Sequence, residues 1–176
     1  MQVHCLGITS SHPEGQAQVP PIFQCQIDID GNPREGFVCL HDLSYREVLL
    51  ERYRNVARAG FRRVFFDDDL KDALCFCPLH IERFSEFMGK KISLKDLATA
   101  FGGADASEAS AEIREQYVAL CRETVLSLAT DLEKAIHEIN PTIRIGTCIQ
   151  ARRFQDLTGI CCTDIIDIFD TPEAPS

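Results

Sequence analysis

Apolar positions along the chain fall into two kinds: short continuous runs, and longer stretches in which they recur every three or four residues. Val3 to Thr9 is a run of the first kind, interrupted by Gly7, and predicts a buried strand. Ser10 to Leu43 shows neither pattern and is rich in Pro, Gly and Gln. It predicts a long irregular segment with a turn at Asp28-Ile29-Asp30-Gly31-Asn32, where Asp and Asn bond their own backbone and Gly takes positive φ. Loops of this length in a compact domain usually carry function. Ser44-Tyr45-Arg46-Glu47 has the spacing of a capping box, and Leu49, Tyr53, Val56 and Ala57 follow at helical spacing up to Gly60. Arg63 to Phe66 predicts the next strand. Pro78 suits the first turn of a short helix carrying Ile81, Phe84 and Phe87 and closed by Gly89. Ser93 starts a second short helix with Leu94, Leu97 and Phe101 on one side, and the small, polar stretch from Phe101 to Ser110 predicts a loop. From Glu112 to Asn140 apolar residues advance by threes and fours from Ile113 to Ile139, which predicts one amphipathic helix of about seven or eight turns, ended by Pro141. Arg144 to Ile149 and Asp164 to Phe169 predict two further strands, and the stretch after Asp170 predicts a loop.

Strand, helix, strand, helices, strand, link, strand is the alternation of an α/β protein with a parallel sheet and right-handed crossovers. Residues 1–176 show no internal repeat and no linker between two cores, so a single α/β domain is expected. Apolar residues at 45% and charged residues at 26% are ordinary for a globular domain. A net charge of -9 excludes a typical nucleic-acid surface, which needs clustered Lys and Arg. No apolar run approaches the roughly 18 residues of a membrane span. Met1 to Gly7 has neither the basic nor the long apolar region of a secretory signal. Nine cysteines, an odd number at irregular spacing, fit a reducing cytoplasm better than a disulfide framework.

Two constellations carry candidate chemistry. The strand Arg63 to Phe66 runs straight into Asp67-Asp68-Asp69. Acids delivered at the C-terminal end of a buried strand are how α/β folds build active sites. Alternation puts Asp67 and Asp69 on one face and Asp68 on the other, and adjacent carboxylates raise one another's pKa. Asp170 and, second to it, Asp167, at the end of the last predicted strand, are the comparable acids elsewhere in the chain. Ligand contact by Asp67, Asp68, Asp69 and Asp170 stands beside the plainer reading, in which the acids bond loop backbone. The second constellation is Cys75-Phe76-Cys77-Pro78-Leu79-His80, two thiols and an imidazole close enough to bind a soft divalent metal. With Cys39 it makes a Cys₃His set for structural zinc, against the alternative of three reduced cysteines and a surface histidine. His41 follows Cys39 and is placed to orient a ligand. His137 falls on the polar side of the long helix and is expected in solvent. No phosphate loop or Ser-His-Asp arrangement is present.

The order of these motifs resembles the middle of the β-galactosidases of glycoside hydrolase family 42. There a strand leads to a loop with a D-x-D-G turn and a cysteine just before a helix start. A strand ending in Asn-Glu follows, then a C-[YF]-C-x-x-C cluster, a long helix and two more strands. This chain has Asp28-Ile29-Asp30-Gly31, Cys39, Ser44-Tyr45-Arg46-Glu47, Phe66-Asp67-Asp68-Asp69 and Cys75-Phe76-Cys77-Pro78-Leu79-His80 in the same order. The resemblance implies a partial (β/α)₈ TIM barrel, its third through sixth strands, about half of a barrel of roughly 250 residues. It implies hydrolysis of carbohydrate O-glycosidic bonds, with Asp69 at the position of the general acid/base. Aspartate stands there in place of glutamate, and His80 replaces the third cysteine of the family cluster. The family's nucleophile lies on the seventh strand, so this stretch alone is not expected to be a complete retaining glycosidase. An opened barrel with bare strand edges is expected to pair with another copy. The alternative is a non-catalytic, zinc-stabilised α/β module that binds a sugar or other polar ligand. A weaker third reading has the aspartates holding magnesium in a phosphatase-like site.

Overall fold

The computed structural model describes residues 2–5, 21–66, 75–102, 107–148, 168–169 and 171–173. Its main sheet has four parallel strands: β1 (Gln2–Cys5), β4 (Arg63–Phe66), β5 (Arg144–Cys148) and β6 (Thr171–Glu173), in the order β1-β4-β5-β6. Cys5, Phe66 and Thr147 are aligned across the first three strands, so these C-terminal ends lie level along one edge. A separate antiparallel pair, β2 (Cys25–Ile27) and β3 (Pro33–Val38), precedes the first helix. The helices are α1 (Leu43–Arg58), α2 (Pro78–Met88), α3 (Leu94–Phe101) and α4 (Glu108–His137).

Two apolar clusters hold these elements together. In the first, Leu49, Tyr53 and Ala57 of α1 and Val125, Leu128, Leu132 and Ile136 of α4 pack with Val64, Phe66 and Ile145 of the sheet. Val64 and Phe66 share one face of β4 because strand side chains alternate. Phe66 stacks on Phe169, with centroids 5.2 Å apart and planes at 23°. Arg46 of α1 reaches Asp131 of α4 at 2.7 Å and Ser127 at 3.1 Å, tying the two helices outside the core. The second cluster lies under α2 and α3, where Phe76, Phe84, Ile92 and Leu97 meet Tyr117, Leu120 and Cys121 of α4. The long helix therefore spans both.

The α/β expectation with parallel strands and one long helix holds. The described strands form an open sheet, and no closed barrel is present among the described residues. Several expected elements shift. The irregular segment before α1 contains the β2–β3 hairpin, built around the expected Asp28–Asn32 turn. Asp28 Oδ1 accepts from the Asp30 and Asn32 amides, and Gly31 sits at φ +87°. Its strands are too short and broken by Pro33 and Gly36 to show alternation. Helix α1 is capped by Asp42 rather than Ser44. Helix α4 starts at Glu108 on a Ser107 cap, because small residues that look loop-like also tolerate a first helical turn. The final strand is Thr171–Glu173. Ile168 and Phe169, expected within it, lie in a turn that sends Phe169 into the core, while 164–167 fall outside the described residues. His137 is not simply solvated: its Nδ1 lies 2.6 Å from Glu133 Oε1 and its Nε2 2.8 Å from the Ile143 carbonyl oxygen.

Candidate metal centre

Three chain segments converge on one buried point. The first is the joint between the hairpin and α1. Cys39 donates its amide to the Gln24 carbonyl at 2.9 Å and accepts from the Asp42 amide at 3.0 Å, so its backbone is fixed on both sides. The second is the segment after residues 67–74. Phe76 donates its amide to the Ile27 carbonyl at 2.7 Å, which ties this segment to β2. The third is the start of α2. Cys77 is the N-cap in extended conformation, Pro78 occupies the first turn, and the Cys77 sulfur accepts from the His80 amide at 3.5 Å. Proline suits that turn because its missing N–H is one the helix cannot pair.

The ligand atoms of Cys39, Cys75 and His80 all lie within 4.8 Å of one another, and all three residues are buried. Cys77 packs in the same cluster as Cys39 and Cys75, flanked by Ile27 and Leu79. All four side chains are 0% exposed. The thiols interact strongly. Cys77 is held well below the ordinary thiol range because Cys39 and Cys75 hydrogen-bond to its sulfur. Cys39 is pushed up because it would lose those same hydrogen bonds, and next because it is buried. Burial pushes His80 down, toward the neutral form that can ligate a metal. Neither ring nitrogen of His80 meets a nitrogen or oxygen hydrogen-bond partner among the described residues, and the Cys75 thiol is the group that interacts with the ring. A buried imidazole of that kind costs free energy unless something else takes a lone pair. The donor set fits a soft divalent ion: thiolates and a neutral imidazole are what zinc selects. No ligand position among the four is open to solvent, as expected of a structural site rather than a catalytic one.

Around this group stand two further side chains. His41, from the same joint as Cys39, meets His80 edge-on with ring centroids 4.6 Å apart, and its Nε2 lies 3.4 Å from Thr124 Oγ1. Burial, then Arg83 and Arg46, push His41 down to about 4. Tyr117 of α4 stacks on His80 at 5.1 Å and 18°. Its hydroxyl bonds both backbone groups of Cys75. Sequence pattern marks Tyr117 only as an apolar position of the long helix. The signal for more is the hydroxyl itself, since a buried tyrosine needs a partner.

The structure thus brings the ligand atoms of Cys39, Cys75 and His80 together, with Cys77 packed against the two cysteines but outside that mutually close set. Asp67, Asp68, Asp69 and Asp170 lie outside the described residues. No helix among the described residues is long and apolar enough to cross a membrane.

No protein-family model matches the chain. No curated protein matches it either. Solved structures do. A β-galactosidase from a Rahnella species superposes over 92% of this chain with a TM-score of 0.67 at 12% identity. Gan42B, a GH42 β-galactosidase, superposes over 86% with a TM-score of 0.61 at 16% identity. A catalytic mutant of Gan42B from G. stearothermophilus gives 92%, 0.64 and 15%. The chain spans 28%, 26% and 29% of those three proteins. Its α/β arrangement is therefore the fold of a part of a GH42 β-galactosidase, a glycoside-hydrolase-like fold.

Proposed function

We propose that this chain is the third-to-sixth-strand portion of a (β/α)₈ glycosidase barrel. In it, Asp69 is the general acid/base, and Asp67, Asp68 and Asp170 contact a carbohydrate. The observation that carries the reading is the join at Phe66. This residue ends β4 level with its parallel neighbours, and the next three residues in the chain are carboxylates. Barrel enzymes and open α/β sheets bind their ligands at that edge. A carboxyl group among other carboxylates holds its proton to higher pH, which suits donation to a leaving glycosidic oxygen. Once the leaving group departs, the same group as carboxylate takes a proton from the attacking water. The nucleophile of such a reaction belongs to a strand other than those proposed for this stretch.

Zinc in the Cys39, Cys75, Cys77 and His80 group is the second part of the proposal. Bound there, zinc supplies no chemistry beyond cross-linking. The four residues would hold the hairpin end, the segment at Cys75 and the start of α2 against one another. A second reading, a zinc-stabilised α/β module that binds a polar ligand without hydrolysing it, is favoured by Asp69 standing where the family motif has glutamate.

The test is hydrolysis of a chromogenic aryl β-galactoside by the complete protein its gene encodes. Asp69→Asn should lower kcat by about 10²-fold or more with an unchanged melting temperature, the usual loss on removing a general acid/base. Turnover retained in that variant sinks the assignment. A wild-type protein that binds galactosides and hydrolyses none establishes the second reading.

A further inference from the structure

Tyr117 is fully buried on α4, and its contacts converge on the Cys/His group. Its hydroxyl accepts from the Cys75 amide at 3.0 Å and donates to the Cys75 carbonyl at 2.6 Å. Its ring stacks on His80 at 5.1 Å and 18°, and on Phe76 at 5.6 Å and 23°. One side chain thus touches two of the four candidate ligands in different ways: it holds the peptide of Cys75 and the ring plane of His80. Cys75 lies outside any strand or helix, so no ladder satisfies its N–H and C=O. Buried backbone groups of that kind must find partners, and a single phenol supplies both. The following residue is tied to β2 by a separate bond from Phe76 to Ile27. The Cys75 backbone is therefore set by protein contacts that need no metal. Neighbours that orient metal ligands raise affinity by lowering what binding must order.

We propose that Tyr117 is the positioning residue of the metal site, fixing Cys75 and His80 in ligating arrangement before the ion arrives. This rests on the metal reading given above. It predicts that α4, whose residues supply no ligand, sets the affinity of the site.

The experiment titrates the reduced, metal-stripped full chain with zinc against a chromogenic chelator, and with cobalt(II) to record the d–d bands. Tyr117→Phe keeps the ring and removes both hydrogen bonds. It should weaken zinc binding about 10–100-fold, as loss of a ligand-orienting group does, and shift the cobalt bands. Phe101→Leu alters another ring packed on Tyr117 at 5.3 Å and should leave affinity and bands as in the wild type. Wild-type affinity and an unchanged cobalt spectrum in Tyr117→Phe overturn the proposal while the metal reading stands. A wild-type chain that takes up neither ion overturns both. Hydrogen exchange in the metal-stripped wild type gives a check independent of how the variant folds. A slowly exchanging Cys75 amide is expected, and exchange at the rate of an exposed loop overturns the positioning role.

Discussion

His80 and the three sulfurs around it make a poor core if left to themselves. An imidazole with both nitrogens buried and no nitrogen or oxygen partner among the described residues forfeits hydrogen bonds worth about 1–3 kcal/mol per group. Apolar residues of the same size would pack there at no such cost, so the group makes physical sense as a ligand set. Cys39→Ser tests this at a single atom. Serine keeps the size of cysteine but gives up the thiolate that zinc selects. With zinc at 100 times its dissociation constant, the ion adds about 2.7 kcal/mol, so the wild type should melt about 5–10 °C higher than the variant in zinc-containing buffer. Equal melting temperatures together with no zinc in the purified wild type remove the metal from the account.

Among the elements, the start of α1 shows what a pattern can and cannot resolve. Ser44 with Glu47 has the spacing of a capping box, yet Asp42 caps the helix: its Oδ1 accepts from the Tyr45 amide at 3.0 Å and its Oδ2 from the Gln24 amide at 2.7 Å. The second bond reaches back to the hairpin, a long-range contact that no local motif encodes. Asp42→Ala should therefore cost about 1–2 kcal/mol in denaturant unfolding, while Ser44→Ala should stay within about 0.5 kcal/mol. The reverse ranking would mean that the local box sets the helix start after all. Where local chemistry decides alone, the sequence was legible. Pro78 and Gly89 bracket α2 as expected, with Gly89 left-handed at φ +63°. Ser93 caps α3 in a full capping box with Asp96. The hairpin was not legible, because β2 is three residues long and β3 opens on Pro33 and carries Gly36. That Cys39, Cys75 and His80 form one group was legible from residue type and spacing. Tyr117 was not, since the partner that reveals its role is more than forty positions away in the chain.

For the whole molecule, the group ties the hairpin end, the segment at Cys75 and the start of α2 together beside the two apolar clusters. The α1–α4–sheet cluster and the α2–α3–α4 cluster share the long helix, and the hairpin meets them through Val38 and Ile29 as well as through Cys39, Asp42 and the Phe76–Ile27 bond. Stripping the ion with a chelator should therefore lower the wild-type melting temperature by about the same 5–10 °C and leave Cys39→Ser unmoved. An equal drop in both proteins would show the chelator acting elsewhere. The glycosidase reading draws on the same group, because Cys75 follows the acidic stretch after β4 in the chain. The most direct measurement of the metal centre is X-ray absorption at the zinc edge on the purified protein. A four-coordinate ion with three sulfurs at ~2.3 Å and one nitrogen at ~2.0 Å is expected. An absent zinc edge, or a shell made only of oxygen and nitrogen, would contradict the metal reading.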